Sequence, residues 1–380
     1  MKPERNGKPQ NGDSLPFPFQ FIEPEPGTPA NTGSFDLMEK VTRISGKMQP
    51  TGIRDKIIVF HSLGIRDVQA EEIVAELASK GEPVFYFDTT TFLQTCQLFI
   101  ELGQSGKSLG QLELPCGTLA LDEVKSVWFR GPGNDLGEMK PQAGRSTGFI
   151  LREAEAVLQG LQGVLDQAFW MNPPASVQGA QDKLTQLKQA EALGFTIPHT
   201  LVTNDPQKLL DFYEQCHGEV ILKTFTRLAY LQDGREHLIL TNRVLSQHLD
   251  QLDAVREVPC LFQEYVPKDV EIRVTIIGQR FFAAEIHSQC SPVSKDDYRR
   301  YDLAHTPYKT HTLPQALETA CLKLMQYYGL SFAAIDLIRR PDGEYVFLEI
   351  NANAQYLWVQ DLTGMPISAS VADALIQGSV

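Results

Sequence analysis

Two carboxylates and a carboxamide near the end of the chain could together bind a divalent cation. Asp336 lies in one apolar run, and Glu349 and Asn351 lie in the next one along the chain. Hard oxygen donors of this kind suit Mg²⁺, especially when the cation is shared with substrate phosphates rather than enclosed by protein alone. Burying acidic groups among apolar residues is also unfavourable without a compensating charge. The same residues could simply mark the end of a strand, so the spacing alone leaves both interpretations open.

A β-hairpin is the element that would bring these side chains together. The turn sequence Pro341-Asp342-Gly343 separates the two apolar runs, and its residues favour a tight reversal of the chain. Because side chains repeat every two residues along a strand, Phe347, Glu349 and Asn351 are predicted to share one face. Asp336, on the neighbouring strand, would lie beside them.

The order of these residues resembles the metal-binding hairpin of the ATP-grasp ligases, which form an acyl phosphate from a carboxylate and ATP. The longer run that begins at Phe347, FLEINANAQYLWVQDLTGMPIS, resembles the ATP-grasp maturases of ribosomal peptides, the microviridin-type or graspetide synthetases. Those maturases read Asn-Pro-Asn-Gly-Gln where this chain has Asn351-Ala352-Asn353-Ala354-Gln355. The resemblance implies ATP and Mg²⁺ as cofactors, with Asp336, Glu349 and Asn351 as metal ligands.

The resemblance also implies a fold. It predicts an α/β chain, α+β in its C-terminal half, in which an ATP-grasp fold follows an N-terminal pre-ATP-grasp βα domain. The implied divisions are a flexible N-terminal extension at 1–50, a pre-ATP-grasp domain at 55–170, a central ATP-grasp subdomain at 175–265, and a C-terminal subdomain with the Mg²⁺ site at 266–380.

Nucleotide-binding residues follow from the same resemblance. Lys183 and Lys223 would contact phosphates, and Glu271 would accept hydrogen bonds from the ribose hydroxyls. Arg273 lies two residues further along the same strand face and would contact phosphate. The alternatives are an uninformative surface lysine at 183 and an exposed cross-strand ion pair for Glu271 and Arg273. The hinge that holds adenine through its backbone would consist of Gln263, Glu264, Tyr265 and Val266.

The loop after Lys223 departs from the wider superfamily. Many ATP-grasp enzymes cover the phosphates there with backbone N–H groups of a glycine-rich loop. This chain has no glycine after Lys223 until Gly234. The prediction is a lid that uses side chains, with Thr224, Thr226 and Arg227 as candidates, or a longer loop.

A second group of polar residues could contact the substrate. In the resembled maturases a Gln precedes an Asp-aromatic-Arg triplet, and here Gln289 precedes Asp297-Tyr298-Arg299. A fixed guanidinium fits both a transferred phosphate and an acidic substrate side chain, so Arg299 and Arg273 are predicted as catalytic cations. A solvated charged loop is the alternative for this segment. Arg130, at the end of a predicted strand, would either face substrate or serve the structure.

Strands and helices alternate in the first half of the chain. Strands are predicted at 56–60, 83–87 and 126–130, with helices at 68–80 and 148–169, a pattern typical of parallel βα units. No GxGxxG motif follows the first strand, which excludes a dinucleotide site of that type.

The second half reads differently. Asn172-Pro173-Pro174 predicts a linker, because consecutive prolines stop helices, and a helix is predicted after it at 180–193. A hairpin is predicted at 274–286, and the apolar spacing at 314–328 predicts a core-facing helix.

The first 50 residues differ in composition from the rest. Seven of the 23 prolines lie in the first 30 residues, which predicts an extended or disordered segment. Residues 15–24 nevertheless carry three aromatic side chains and resemble the Pro-Phe-x-x-x-Phe-Leu-Glu motif of microviridin-type leaders, matching at Pro16, Phe17, Phe21 and Glu23. One hypothesis is a leader fused in cis; the alternative is a disordered extension or a cloning remnant.

Composition narrows the function classes. A net charge of −13 argues against a nucleic-acid partner, and no long apolar run or signal pattern predicts a membrane span or secretion, so a cytoplasmic location is expected. The six cysteines show no CxxC spacing, which predicts free thiols rather than structural zinc. The eight histidines form no persuasive catalytic triad with Ser or Cys.

The resemblance then predicts a function. The chain would be an ATP-dependent peptide ligase that activates Asp or Glu side chains of a precursor peptide as acyl phosphates and forms macrocyclic ω-ester or ω-amide links. Its partner would be that peptide, with a leader and an acidic core. The alternatives are an ATP-grasp ligase that adds amino acids to a peptide or protein terminus, and a non-catalytic nucleotide-binding regulator. Linkage type, ring pattern and oligomeric state, including a homodimer, stay open.

Overall fold

The computed structural model describes residues 51–61, 67–103, 108–131, 147–225, 229–232, 235–238, 240–300 and 302–380. The leader-like segment at 15–24 and the lid candidates Thr226 and Arg227 lie outside these ranges. The described chain forms two compact units, each discontinuous in sequence. The larger unit contains residues 51–197, 269–287 and 308–380, and the smaller unit contains residues 198–268 and 288–307.

The described chain contains both strands and helices, which alternate most regularly before residue 90. Up to residue 197 they are β1 Lys56–His61, α1 Val68–Ser79, β2 Val84–Asp88, α2 Phe92–Thr95, β3 Gln97–Leu102, β4 Ser108–Leu114, β5 Gly117–Ala120, β6 Val124–Arg130, α3 Thr147–Val164, β7 Phe169–Met171, α4 Pro174–Gly179 and α5 Lys183–Ala192. Up to residue 268 they are β8 Thr200–Thr203, α6 Pro206–Gln215, β9 Val220–Lys223, β10 Ala229–Gln232, β11 Arg235–Leu238, β12 Asn242–Val244 and β13 Cys260–Glu264. The remainder are β14 Val270–Ile277, β15 Arg280–Ile286, β16 Tyr308–His311, α7 Gln315–Tyr328, β17 Phe332–Arg339, β18 Tyr345–Asn351, α8 Leu357–Thr363 and α9 Ile367–Gln377.

A parallel sheet in the order β2-β1-β6-β7 forms the first layer of the larger unit. Strand β1 is buried at every position, as expected for a parallel strand covered on both faces. Helix α1 begins at Asp67, whose carboxylate accepts from the N–H groups of Gln69 and Ala70, and the helix buries Ile73 and Leu77 against the sheet. The predicted parallel βα arrangement is confirmed.

One sequence prediction about this region was wrong. The helix predicted at 148–169 ends at Val164, and Phe169 begins strand β7, because pairing with β6 outweighs the helical pattern there. In the segment predicted as a linker, Asn172 is buried and hydrogen-bonded, and Pro174 begins helix α4, where its missing N–H is not needed. A three-stranded antiparallel sheet, β3-β4-β5, occupies a segment for which no strands were predicted.

An antiparallel sheet in the order β16-β15-β14-β17-β18 forms the second layer of the larger unit. Both predicted hairpins, β14–β15 and β17–β18, are confirmed. Helix α7 lies in the predicted place and is capped at its C-terminus by Gly329. The φ of Gly329 is +64°, a left-handed conformation that residues with a side chain rarely adopt. Among the described strands, β18 pairs along its length only with β17, and on its other side Val346 forms a single parallel bridge with Thr196.

The smaller unit is built on an antiparallel sheet in the order β12-β9-β13-β8. Helix α6 begins at Asp205, which caps it, and packs Leu209 and Phe212 onto a core that includes Leu222 and Phe262. Strands β9 and β13 are the two central strands of this sheet and run antiparallel.

The described residues contain no helix that is long and apolar enough to cross a membrane. All six cysteines are free thiols, as predicted. Burial raises the pKa of the Cys321 thiol to about 12, so this cysteine is a protonated core residue at neutral pH.

Candidate functional site

The three predicted metal ligands lie together in the larger unit. Asp336 on β17 is paired directly with Glu349 on β18, and Ala334 is paired with Asn351. The Asn351 Nδ2 group donates to Asp336 Oδ2 at 3.0 Å and to Glu349 Oε1 at 3.3 Å. The hairpin thus brings two carboxylates and one carboxamide into direct contact on one face of the sheet.

A β-bulge at Leu348 interrupts the alternation of strand β18. The register moves from Asp336–Glu349 to Leu337–Phe347, which leaves Leu348 as the extra residue. Phe347 therefore sits opposite Leu337, on the other face from Glu349, and packs against the Phe195 ring with 5.3 Å between centroids. The prediction that Phe347 shares a face with Glu349 and Asn351 was wrong, because regular alternation cannot anticipate an inserted residue.

Two cations lie beside the acidic pair. Arg273 on β14 donates to Asp336 Oδ2 at 2.6 Å, and its other terminal nitrogen donates to the Gln355 carbonyl at 3.2 Å. Lys183, the first residue of α5, lies 3.7 Å from Glu349 Oε2. Arg273 and Glu271 are both only 6% exposed. The alternative of an exposed ion pair between Glu271 and Arg273 is therefore excluded, since Arg273 is buried against Asp336.

The donor set fits a divalent cation that is shared with a phosphate ligand. Asp336, Glu349 and Asn351 supply three oxygen-bearing side chains, too few to enclose Mg²⁺ but enough to hold it against further oxygen ligands. In this structure the Asn351 amide nitrogen bridges the two carboxylates, the position in which a cation would contact both. Among the described residues there is no group of three or more His, Cys, Asp or Glu side chains that could hold a metal ion by themselves.

In the smaller unit, Lys223 and Gln263 share a sheet face. Gln263 is paired with Ile221, and Lys223 lies two residues beyond Ile221 on β9. The Thr200 hydroxyl donates to the Pro198 carbonyl at 2.7 Å, so its oxygen can only accept from Gln263 Nε2, at 3.0 Å. This fixes the amide and directs Gln263 Oε1 elsewhere. That buried oxygen has no hydrogen-bond partner among the described residues.

The predicted hinge is held firmly by its neighbours in the smaller unit. The Glu264 carboxylate accepts from the His199 N–H at 3.0 Å, so Glu264 is engaged through its side chain with protein backbone. The Tyr265 N–H donates to the Glu219 carbonyl at 2.8 Å. The Arg243 guanidinium lies 3.7 Å from the Tyr265 ring centroid, a cation–π contact, and pairs with Glu219 at 2.7 Å. Val266, the last predicted hinge residue, is buried.

Arg299 is fixed by a buried carboxylate. Asp297 accepts from Arg299 Nε at 2.8 Å and from its terminal nitrogen at 2.5 Å, and also from the Thr241 N–H at 3.2 Å. Burial alone would raise the pKa of the Asp297 carboxyl, but the charge and hydrogen bonds of Arg299 outweigh burial and hold that pKa well below its usual range. The Arg299 side chain itself is 45% exposed. The arrangement presents a guanidinium of fixed orientation, as the substrate-binding interpretation requires. Gln289, the other residue of this motif, donates to the Lys295 carbonyl at 2.8 Å.

Arg130 serves the structure. It is 1% exposed, pairs with Asp67 at 2.9 Å and donates to the Ala354 carbonyl at 3.4 Å. The interpretation that Arg130 faces substrate is not supported by this burial.

Three buried carboxamides near the predicted metal ligands were missed from the sequence. They are Gln69, Asn172 and Gln186, which are 1%, 1% and 4% exposed. A sequence pattern that could have indicated Gln186 is a polar residue at a core position of a helix. Gln186 lies four residues before the buried Ala190, on the same face of α5.

Comparisons with known proteins match two successive parts of the chain. Residues 57–178 match the MvdD pre-ATP grasp domain family, and residues 180–375 match the RimK-like ATP-grasp domain family. A probable alpha-L-glutamate ligase from Pasteurella multocida is 24% identical over 204 residues, which are 52% of this chain and 61% of that protein. The chain thus spans less than two thirds of this curated relative.

Solved structures match most of this chain. A RiPP-associated ATP-grasp ligase from Chryseobacterium gregarium, in complex with ADP and a leader and core peptide, is 30% identical with a TM-score of 0.78, covering 86% of this chain and 98% of that one. The macrocyclase MdnC from Microcystis aeruginosa MRC, bound with precursor peptide MdnA, is 28% identical with a TM-score of 0.72, covering 85% and 99%. These matches confirm the predicted ATP-grasp fold with its N-terminal pre-ATP-grasp domain. The chain belongs to the RimK-like ATP-grasp family and, with its pre-ATP-grasp domain, to the RiPP-associated ATP-grasp ligases.

Proposed function

We propose that this ATP-grasp ligase activates Asp or Glu side chains of a ribosomal precursor peptide as acyl phosphates and closes them into ω-ester or ω-amide macrocycles. The observation that carries the proposal is the contact set of Asp336, Glu349 and Asn351, braced by Arg273. Support also comes from the similar Chryseobacterium ligase, whose structure includes ADP and a leader and core peptide.

The proposal assigns nucleotide contacts in each unit separately. In the smaller unit the backbone of Glu264 to Val266 would hold adenine, and Gln263 Oε1, an acceptor without a protein partner among the described residues, would accept from its amino group. Lys223 would contact phosphate. In the larger unit Glu271 would bind the ribose hydroxyls. There Lys183 and Arg273 would offset phosphate charge.

Mg²⁺ would be held by Asp336, Glu349 and Asn351. When bound, this cation neutralises phosphate charge and orients the transferred group. The protein's own contribution is positioning: Arg273 fixes Asp336, and Arg299 offers a fixed guanidinium to an acidic side chain or to the transferred phosphate.

The proposed chemistry balances without a protein nucleophile. A substrate carboxylate oxygen bonds to the γ-phosphorus, and the bond to the β-phosphate oxygen breaks, which yields ADP and an acyl phosphate. A hydroxyl or amine of the same peptide then attacks the acyl carbon, loses its proton and expels inorganic phosphate. Each ring therefore removes one water from the mass of the peptide.

Residues 15–24 are proposed to act as a leader in cis, on the strength of their resemblance at Pro16, Phe17, Phe21 and Glu23. The segment lies outside the described residues, so the proposal is carried by the sequence alone. It predicts that the chain can modify a core peptide that lacks its own leader.

A second candidate is a ligase that adds free amino acids to a peptide or protein terminus. The likeness to the Pasteurella glutamate ligase favours it, although the matched part is about half of this chain. A nucleotide-binding regulator without catalysis is the third candidate.

The experiment that separates them is incubation with ATP, Mg²⁺ and an acidic candidate core peptide, followed by mass spectrometry and an ADP assay. Macrocyclisation predicts loss of one water for each ADP formed. A mass gain in the presence of free glutamate would instead identify an amino-acid ligase. Nucleotide binding without ADP formation, for every peptide tried, would identify a regulator and contradict the proposal.

A further inference from the structure

Strand β18 carries two of the proposed metal ligands and, among the described strands, is paired along its length only with β17. Its outer backbone groups would be left without partners unless other parts of the protein supply them. In the larger unit, the Thr196 carbonyl accepts from the Phe347 N–H at 2.8 Å, and a side-chain carboxamide serves the part of the edge between the two ligands.

Gln186 on α5 takes the place of a neighbouring strand. Its Oε1 accepts from the Ile350 N–H at 3.0 Å, and its Nε2 donates to the Ile350 carbonyl at 3.0 Å. The same Nε2 donates to the Ala180 carbonyl at 2.6 Å. Ile350 is the residue between Glu349 and Asn351. Gln186 therefore fixes both backbone groups of the residue that connects the two ligands.

Asn172 joins the two strands of the metal hairpin at their common end. Its Oδ1 accepts from the N–H groups of Ser331 and Phe332 at 2.7 and 3.0 Å. Its Nδ2 donates to the carbonyls of Phe332 and Ala352 at 2.6 and 2.9 Å. One side chain thus ties the start of β17 to the residue that directly follows Asn351.

Gln69, in the first turn of α1, holds the loop beyond Ala352. Its Oε1 accepts from the Tyr356 N–H at 2.5 Å, and its Nε2 lies 3.5 Å from the Ala354 carbonyl. Between these two residues, the Gln355 carbonyl accepts from Arg273, the same arginine that binds Asp336. The loop is therefore connected to the acidic pair through Arg273.

We infer that Gln69, Asn172 and Gln186 are positioning residues for the proposed divalent-cation site. This inference rests on the proposed function, since it takes Asp336, Glu349 and Asn351 as the ligands. Gln186 and Asn172 bind backbone next to a ligand, and Gln69 binds backbone on both sides of Gln355, the residue whose carbonyl holds Arg273. Each carboxamide uses both its donor and its acceptor, which fixes its orientation. The loop has alanine at 352 and 354 where the resembled maturases have proline and glycine, and both alanine carbonyls accept bonds from this set.

The test uses the full chain with Gln186→Met and, separately, Gln69→Met, changes that keep side-chain volume and remove the hydrogen bonds. Mn²⁺ binding in the presence of ADP is measured by titration calorimetry, and the melting temperature is measured in parallel. Ser126→Ala is the matched control, because Ser126 is also fully buried and donates to a backbone carbonyl, that of Leu375, away from β18.

The inference predicts Mn²⁺ binding at least about 10-fold weaker in both glutamine variants, with the affinity for ADP alone unchanged. Excess Mg²⁺ should recover part of the lost turnover, because the effect is on metal affinity. The control should lose melting temperature and keep Mn²⁺ affinity. Glutamine variants that melt earlier but bind Mn²⁺ within twofold of the unaltered chain would overturn the inference.

One further variant separates the two levels of the account. If Glu349→Gln weakens Mn²⁺ binding while Gln186→Met does not, the positioning role is wrong and the metal site stands. If Glu349→Gln leaves Mn²⁺ binding unchanged, the proposed metal site itself is wrong.

Discussion

For Arg273, the sequence predicts the strand face and a possible ligand but not the neighbouring side chain. The sequence placed Arg273 on the face of Glu271 and suggested a phosphate contact. The structure adds a 2.6 Å bond to Asp336, which spacing could not predict because the two residues come from different strands far apart in the chain. Asp336 therefore already has a buried counter-charge, the guanidinium of Arg273.

Removing that counter-charge should destabilise the fold. Arg273→Met leaves Asp336 buried beside Glu349 without its guanidinium, and we expect the free energy of unfolding to fall by about 3 kcal/mol. Adding Asp336→Leu to the same chain should recover much of this loss while the enzyme stays inactive. Denaturant unfolding of both variants measures the effect, and a loss below about 1 kcal/mol in the single variant would show that the pair is weaker than its burial indicates.

The Asp297–Arg299 pair predicts a pH dependence of stability. The pKa of Asp297 is lower in the folded chain than in the unfolded chain. Its contribution is therefore fully present above the unfolded pKa of about 3.9 and is lost as pH falls towards the folded pKa. The difference in unfolding free energy between the unaltered chain and Asp297→Asn should be constant from pH 7 to about pH 5 and shrink below about pH 4. A difference that stays constant throughout would contradict the pairing.

At the scale of elements, strong apolar periodicity and turn chemistry were sufficient to predict most strands and helices near the site. The β17–β18 hairpin followed from two apolar runs around Pro341-Asp342-Gly343, and β14–β15 followed in the same way. The bulge at Leu348 was not predictable because regular alternation cannot anticipate an inserted residue, and strand β7 was not predictable because it depends on pairing with β6, which is distant in sequence. The bulge matters most, since it separates the packing face of Phe347 from the ligand face of Glu349.

The bulge makes Phe347 a packing residue. Phe347→Leu should lower the free energy of unfolding by about 1 kcal/mol through its contact with Phe195, since shape changes in a packed core have costs of that order. Mn²⁺ affinity should stay unchanged, because the side chain faces away from Glu349. If the substitution weakened Mn²⁺ binding without loss of stability, the face assignment would be wrong.

At the scale of the whole molecule, the family likeness extends over both matched segments, 57–178 and 180–375. The fold class was accessible from sequence because a few motif residues identify the family. The positions of Gln69, Asn172 and Gln186 were not, since their partners are backbone groups brought near only by the completed fold. The N-terminal residues add a feature outside both matched segments, the leader-like run at 15–24.

Deleting residues 1–47 tests that run. The intact chain should modify a leaderless core peptide, and the deletion should lose most of this activity because the leader is no longer tethered at high effective concentration. A separate peptide spanning residues 15–24 should restore activity when added in excess. Phe17→Ala with Phe21→Ala in the intact chain is the control for sequence specificity. Unchanged activity of the deleted chain on the leaderless peptide would refute the cis-leader proposal.

The central claim is that Asp336, Glu349 and Asn351 direct a metal-bound triphosphate at an acidic peptide. Its most direct test is to measure ADP release by the Glu349→Gln variant with ATP, Mg²⁺ and a substrate peptide. The control is Glu344→Gln, which makes the same change from carboxylate to carboxamide at an exposed position of the same hairpin. The account predicts at least about a 100-fold fall for Glu349→Gln, because losing a metal ligand removes several kcal/mol of transition-state stabilisation, and no change for Glu344→Gln. Turnover by Glu349→Gln within a few-fold of the unaltered enzyme would contradict it.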